Sequence, residues 1–259
     1  MDPRLRDRAA AYYDLDPPPF GDVAFYRRRL PSADAAVLEL GCGTGRVTLP
    51  LAATCGHVDG VDHADAMLAI CRRKLAARAE LEDRVTLQTG DITDLDLGRT
   101  FDLVIAPYRV MQNLDSDAEV AGFYRTIRRH LSADGRAIVN AFHPLSDRDE
   151  LRATWVSRGE TPTRKGILDG DRVVVYDRRV RMDRERLVLY PEVVYRRYRG
   201  DSDELVDEVV LPLVMRCFYP DDLLRLAGEH GFRVVASWGG YAGERFGEGS
   251  ELVVEMALA

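Results

Sequence analysis

The chain has 259 residues, enough at roughly 150 residues per domain for one large domain or a domain with an added module. Hydrophobic residues make up 46% and charged residues 31%, ordinary globular values that exclude disorder, collagen and small disulfide scaffolds. The formal charge of −7 lacks the basic field of a typical nucleic-acid binder, so nucleic acid is not expected as a partner. No apolar run approaches the roughly 18 residues that span a bilayer, and the N-terminus MDPRLRDRAAAYYD is charged where a signal peptide is apolar. A soluble, cytoplasmic protein without a membrane partner is expected. Cys42, Cys55, Cys71 and Cys217 form no CxxC or CxxH pair, so neither a metal site nor a disulfide framework is expected.

Residues 1–35 precede the first predicted strand and contain AAYYDLDPPPFGDVAFY. The DPPP run cannot continue a helix, and the segment reads as an N-terminal helical lid. From residue 36 short apolar runs alternate with amphipathic stretches, the pattern of strand and helix units in a parallel sheet. Strands are predicted near 36–41, 57–62, 84–88, 101–105 and 135–141. A helix is predicted from Ala64 to Ala79, where Met67, Leu68, Cys71 and Leu75 recur at helical spacing. The fold class is α/β, a Rossmann-like doubly wound sheet over residues 36–145 and 218–259.

Between them, residues 146–217 carry three runs of strand character, RVVVYDRRVRM, RLVLYPEVVYRRYR and ELVDEVVLPLVMRCF. They read as an antiparallel β insert after strand five. The chain then returns to a helix, capped by Asp221 or Asp222 and ending at Gly231, and to two terminal strands, RVVASW and ELVVEMAL.

Four motifs carry chemistry. In VLELGCGTGR, residues 37–46, a strand containing Glu39 runs into Gly41, Gly43 and Gly45, so backbone can approach a ligand where side chains would block it. The spacing is GxGxG; the GxGxxG of a dinucleotide site would need glycine at Arg46. Asp62 follows Gly41 by 21 residues at the end of strand two, where a carboxylate can accept from both hydroxyls of a ribose or cap the next helix. GDITDL follows strand three, and VIAPYRVMQNL follows strand four.

In that order these motifs resemble the class I S-adenosylmethionine-dependent methyltransferases, over about residues 10–145 and 218–259. The resemblance implies S-adenosylmethionine as cofactor and S-adenosylhomocysteine as product. It assigns the cofactor to Glu39, Gly41, Gly43 and Asp62, with His63 and Met67 lining the adenine pocket. By the same resemblance Asp91 accepts from the adenine amino group and the Ile92 amide bonds a ring nitrogen. The reacting methyl would lie by Ala106 and Tyr108. Adenine-N6 enzymes carry Asn or Asp before Pro-Pro-Tyr; Ala106 cannot accept amino hydrogens, which argues against nucleobase chemistry. Tyr108 reads either as an acceptor-side residue or as a packing aromatic, and His143 as a base or a turn residue.

The N-terminal segment is similar to the lid of bacterial small-molecule methyltransferases such as amino-sugar N-methyltransferases, with Tyr13 or Tyr12 beside the cofactor. The expected function is in-line methyl transfer to a small-molecule amine or hydroxyl, with the insert as acceptor cover and as the surface of a possible homodimer. Residues 172–199 hold nine arginines against four acids. These read as a solvated face, or as a contact for RNA or an anionic acceptor. An RNA-modifying methyltransferase and a non-catalytic cofactor-binding partner protein are the alternatives.

Overall fold

Apolar runs buried on both faces pair side by side only when helices cover the sheet above and below. In the computed structural model, which describes residues 3–15 and 21–259, α1 (Pro3–Tyr13) and α2 (Asp22–Arg27) precede β1 (Ala36–Leu40). Then come α3 (Thr48–Ala52), β2 (His57–Asp62), α4 (Asp65–Ala76), β3 (Val85–Thr89), β4 (Phe101–Ala106), α5 (Asp117–His130) and β5 (Leu131–Phe142). The insert holds α6 (Arg148–Thr154), β6 (Arg158–Leu168), β7 (Asp171–Asp183), β8 (Val188–Tyr198), β9 (Leu205–Pro212) and β10 (Met215–Arg216). The chain ends with α7 (Pro220–Glu229), β11 (Phe232–Trp238) and β12 (Glu251–Leu258).

The chain divides into two compact units, Met1–Pro18 with Ser146–Arg216, and Pro19–Leu145 with Cys217–Ala259. The larger is a seven-stranded sheet in the order β11-β12-β5-β4-β1-β2-β3. Its neighbours from β5 to β3 pair parallel, and β12 runs antiparallel to β5 and to β11. Strand periodicity sends alternate residues to opposite faces. Leu38 and Leu40 therefore join Phe123, Ile127 and Leu223 in one apolar layer. Val37 joins Phe25, Tyr26, Leu51 and Leu103 in the other, and Glu39 is sent to that second face. The chain steps outward from β1 through β2 to β3 and then crosses back to lay β4 on the opposite side of β1. Their C-terminal ends consequently lead away in opposite directions, and in open α/β sheets the crevice at such a switch point is where ligands bind.

The smaller unit is an antiparallel sheet in the order β10-β8-β7-β6, with β9 also paired to β8. Ala9 and Tyr12 of α1 pack against Val173, Val175, Val209 and Leu211. Tyr12 stacks on Tyr195 with ring centroids 5.1 Å apart, and its hydroxyl donates to Asp207 at 2.6 Å. The nine arginines of residues 172–199 are engaged within this unit. Arg178 and Arg196 both hold Glu160, and Arg196 also holds Glu208. Arg197 pairs with Asp171, Arg172 with Asp203, Arg199 with Glu204 and Arg186 with Asp183. Arg181 covers the Tyr190 ring, Arg179 faces Trp155, and Arg184 donates to the Arg152 carbonyl.

Several local expectations need correction. β6 has no apolar alternation, because it is an outer strand paired only to β7 and mostly exposed; nothing in its sequence announces a strand. The third expected run breaks at Leu213 and Val214 into β9 and β10. The predicted helix to Ala79 stops at Ala76, followed by a 3-10 turn over Ala79–Arg84. Tyr219, not Asp221 or Asp222, is the N-cap of α7, and Asp222 accepts from the Tyr219 amide at 3.0 Å. The expected 1–35 segment is divided: α1 groups with the insert and α2 with the large sheet. The DPPP run lies outside the described residues. Tyr12→Ala is expected to destabilise the smaller unit by about 3 kcal/mol, the usual cost of truncating a buried aromatic, measured as a shift of its urea midpoint.

Candidate active site

β1 delivers the chain into a glycine turn whose shape is set by what lies on either side. Gly41 has φ +76°, and a Cβ there would come within 2.5 Å of Val110 Cγ2. Gly43 also lies in the left-handed region, at φ +54°, but a Cβ there would meet nothing within 4 Å. The first glycine is thus required by a close approach, and the second faces open space. The turn is tied to β2 by Asp62, whose Oδ2 accepts from the Gly43 amide at 2.9 Å and whose Oδ1 accepts from the Ala64 amide at 2.9 Å.

Behind the turn, Glu39 is 1% exposed and accepts from Thr48 Oγ1 of α3 at 2.7 Å. Burial, only partly opposed by the Thr48 bond and by Arg46, pushes its carboxyl up to about 8. Arg46, one residue past the last glycine, clamps the buried Asp22 of α2 through two bonds of 2.9 and 2.6 Å. Its guanidinium carbon also lies 5.2 Å from the centre of the Tyr108 ring.

β4 ends in a second turn. Tyr108 at φ 54° and Arg109 at φ 66° are consecutive non-glycine residues in the left-handed region, each costing about 1–2 kcal/mol. The Arg109 amide donates to Asn140 Oδ1 at 2.9 Å, and its Nε donates to Glu251 at 3.1 Å. Asn140 Nδ2 donates to Glu251 Oε2 at 2.9 Å. β4 stops at Ala106 while β5 runs on to Phe142. The Gln112 amide takes the vacated ladder position: its Oε1 accepts from Phe142 N–H at 2.6 Å, and its Nε2 lies 3.5 Å from the Phe142 carbonyl. His143 follows, with Nδ1 3.1 Å from the Gly249 carbonyl. A carbonyl only accepts, so Nδ1 is the donor in this contact, and in the neutral imidazole the lone pair is then on Nε2.

The other expected residues are distributed as follows. His63 is next to Asp62, with Nδ1 3.7 Å from Oδ1, and its side chain is half-exposed. Met67 is buried on α4 and Ala106 is buried at the end of β4. Asp91 accepts from the Thr93 amide and hydroxyl, both at 2.8 Å, in the turn after β3, with Ile92 partly buried against the core. Tyr13 lies on α1 in the smaller unit. Sequence reasoning missed Asp22, Thr48, Gln112, Asn140 and Glu251. The available signal was a lone polar residue inside an apolar run, Asn140 in AIVNAF and Glu251 before LVV. Among the described residues no group of three or more His, Cys, Asp or Glu side chains is placed to hold a metal ion.

Residues 37–135 match the model of a methyltransferase domain family. The chain is 32% identical over 117 residues to the dTDP-3-amino-3,6-dideoxy-alpha-D-glucopyranose N,N-dimethyltransferase of Streptomyces fradiae, covering 45% of this chain and 43% of that protein. It is 31% identical over 148 residues to a cypemycin N-terminal methyltransferase from a Streptomyces species, covering 55% and 58%. The chain thus spans about two fifths to three fifths of the length of these curated relatives. Among solved structures, the CcbJ methyltransferase of Streptomyces caelestis superposes with a TM-score of 0.79 at 26% identity over 100% of both chains. A Clostridium acetobutylicum S-adenosylmethionine-dependent methyltransferase shares the fold, with a TM-score of 0.77 at 16% identity over 99% of this chain and 98% of that one. Residues 37–135 therefore match a methyltransferase domain, and the chain shares the fold of the class I methyltransferases.

The Glu39 carboxyl gives a pH test. Burial pushes this carboxyl up to about 8 from its ordinary 4.5, so the native state holds the proton more tightly than the unfolded chain. The associated stability is full below 4.5 and is lost as pH rises toward 8. Glu39→Gln should therefore flatten the decline of Tm across that interval and melt above the wild type at pH 8, measured by calorimetry.

Proposed function

We propose that the protein transfers a methyl group from S-adenosylmethionine to an amine of a small molecule. The observation that carries this reading is the pairing of an open-faced glycine turn with the Asp62 carboxylate at the end of the adjacent strand. Gly43 has room where a side chain would stand. Each Asp62 oxygen bonds one backbone amide, and a carboxylate oxygen has a second lone pair for a hydroxyl. A nucleoside without pyrophosphate fits this site. Gly41, Gly43 and Asp62 would hold its ribose side and Asp91 and Ile92 its base, with His63 and Met67 beside them. Glu39, bonded to Thr48 and closed off from solvent, acts from beneath by fixing the turn.

When bound, S-adenosylmethionine supplies an electrophilic methyl on a sulfonium. The protein contributes position and proton handling. Placing the acceptor near 3 Å and in line is worth on the order of 7–11 kcal/mol. Tyr108, at the end of β4, flanks the acceptor side. His143 Nε2, with its lone pair directed by the Nδ1 contact to Gly249, takes the proton of an ammonium acceptor, freeing the amine lone pair for attack. Similarity to the Streptomyces fradiae N,N-dimethyltransferase favours an amino-sugar acceptor over a hydroxyl. The RNA alternative is disfavoured because the arginines of residues 172–199 already hold acids, rings or carbonyls of their own unit. A cytoplasmic location agrees with four buried cysteines that form no disulfide.

Asp62→Ala should weaken S-adenosylhomocysteine binding by about 1–3 kcal/mol, the loss expected for charge-assisted hydrogen bonds, and titration calorimetry reads it directly. NAD should not bind. An unchanged Kd in the variant removes the ribose assignment. Incubation with S-adenosylmethionine and a dTDP-linked 3-amino sugar should add one or two methyl groups to the nitrogen, read by mass spectrometry. Methylation of hydroxyl acceptors alone would overturn the amine assignment.

A further inference from the structure

Two adjacent bulky residues stay in the left-handed region only where their surroundings over-determine them. For Tyr108 and Arg109 that determination comes from strands distant in sequence. Asn140 of β5 accepts from the Arg109 amide at 2.9 Å and donates to Glu251 of β12 at 2.9 Å. Glu251 in turn receives the Arg109 guanidinium, which closes a ring of three residues. Strand pairing brings the two acting side chains together, since Asn140 opposes Val253 and Phe142 opposes Glu251. Both are buried, so their geometry is fixed by packing. On its other side the turn meets the glycine loop, through Val110 against Gly41 and Tyr108 against Arg46.

We infer that Asn140 and Glu251 are positioning residues that hold the strained Tyr108–Arg109 turn and thereby fix the Tyr108 ring beside the acceptor. The inference rests on the reading of Tyr108 as an acceptor-side residue of a methyltransferase. The residues proposed to hold the cofactor, Gly41, Gly43 and Asp62 on the ribose side and Asp91 and Ile92 at the base, do not belong to the ring. The effect of the ring therefore falls on the chemical step rather than on cofactor affinity.

The test uses the full chain with Asn140→Leu, Glu251→Gln, Tyr108→Ala and the Tyr108→Ala/Glu251→Gln double variant, with the dTDP-linked 3-amino sugar as acceptor. Glu251→Gln is isosteric and carries the test if Asn140→Leu does not fold. Amide exchange over residues 107–113 should accelerate about tenfold or more in either single ring variant. The Kd for S-adenosylhomocysteine should stay within about threefold while kcat falls by about tenfold. In the Tyr108→Ala background Glu251→Gln should cost less than about twofold, because it acts through the residue already removed. Equal costs in both backgrounds, or unchanged exchange, would falsify the positioning role while leaving the methyltransferase reading intact. If instead the wild type turns the acceptor over and Tyr108→Ala changes neither kcat nor KM, the acceptor-side role of Tyr108 falls and the inference with it. A wild type that does not bind S-adenosylhomocysteine overturns the underlying reading first.

Discussion

The contact between Gly41 and Val110 is the constraint on which the rest of the site depends. A single carbon added at Gly41 would come within 2.5 Å of the Val110 side chain, nearer than packed carbons can approach. This contact seats the turn after β4 against the turn after β1. The two strands are neighbours in the sheet, and their connections leave it in opposite directions, so the close approach forms the floor of the switch-point crevice. Gly43, two residues on, has nothing within 4 Å of where a Cβ would stand.

The polar groups around this floor are arranged by burial as much as by ligand chemistry. A carboxyl taken out of water becomes neutral or finds a cation, and both outcomes occur here. Glu39 has only a hydroxyl, and its pKa rises. Asp22 and Glu251 each meet a guanidinium. Carboxyls of the same type are thus held in different ways, Glu39 against the Thr48 hydroxyl and Asp22 and Glu251 against Arg46 and Arg109.

The insert follows a different logic. Its sheet faces hold cross-strand ion pairs centred on Glu160, Glu192 and Glu208 with Arg178 and Arg196. Exposed pairs of this kind add only about 0–1 kcal/mol each, so the apolar layer beneath α1 is what stabilises the unit. Tyr12, which by sequence alone could have been a cofactor contact, is committed to that layer by its stack on Tyr195 and its bond to Asp207.

The sequence by itself determined the parallel sheet, the glycine turn and the acid 21 residues beyond Gly41, because these depend on local periodicity and on residues whose backbone preferences are strong. It also singles out Tyr108 and His143 as candidates, because they follow apolar runs. It could not reveal that Asn140 and Glu251, 111 residues apart, share one bond network, or that Gln112 completes the ladder beside Phe142. Nor did β6 announce itself, since an exposed outer strand needs no apolar alternation. Such features exist only once β12 inserts beside β5 and β4 stops short of its neighbour. Tertiary structure decided them because a polar side chain in an apolar run has no readable role until strand pairing supplies its partner.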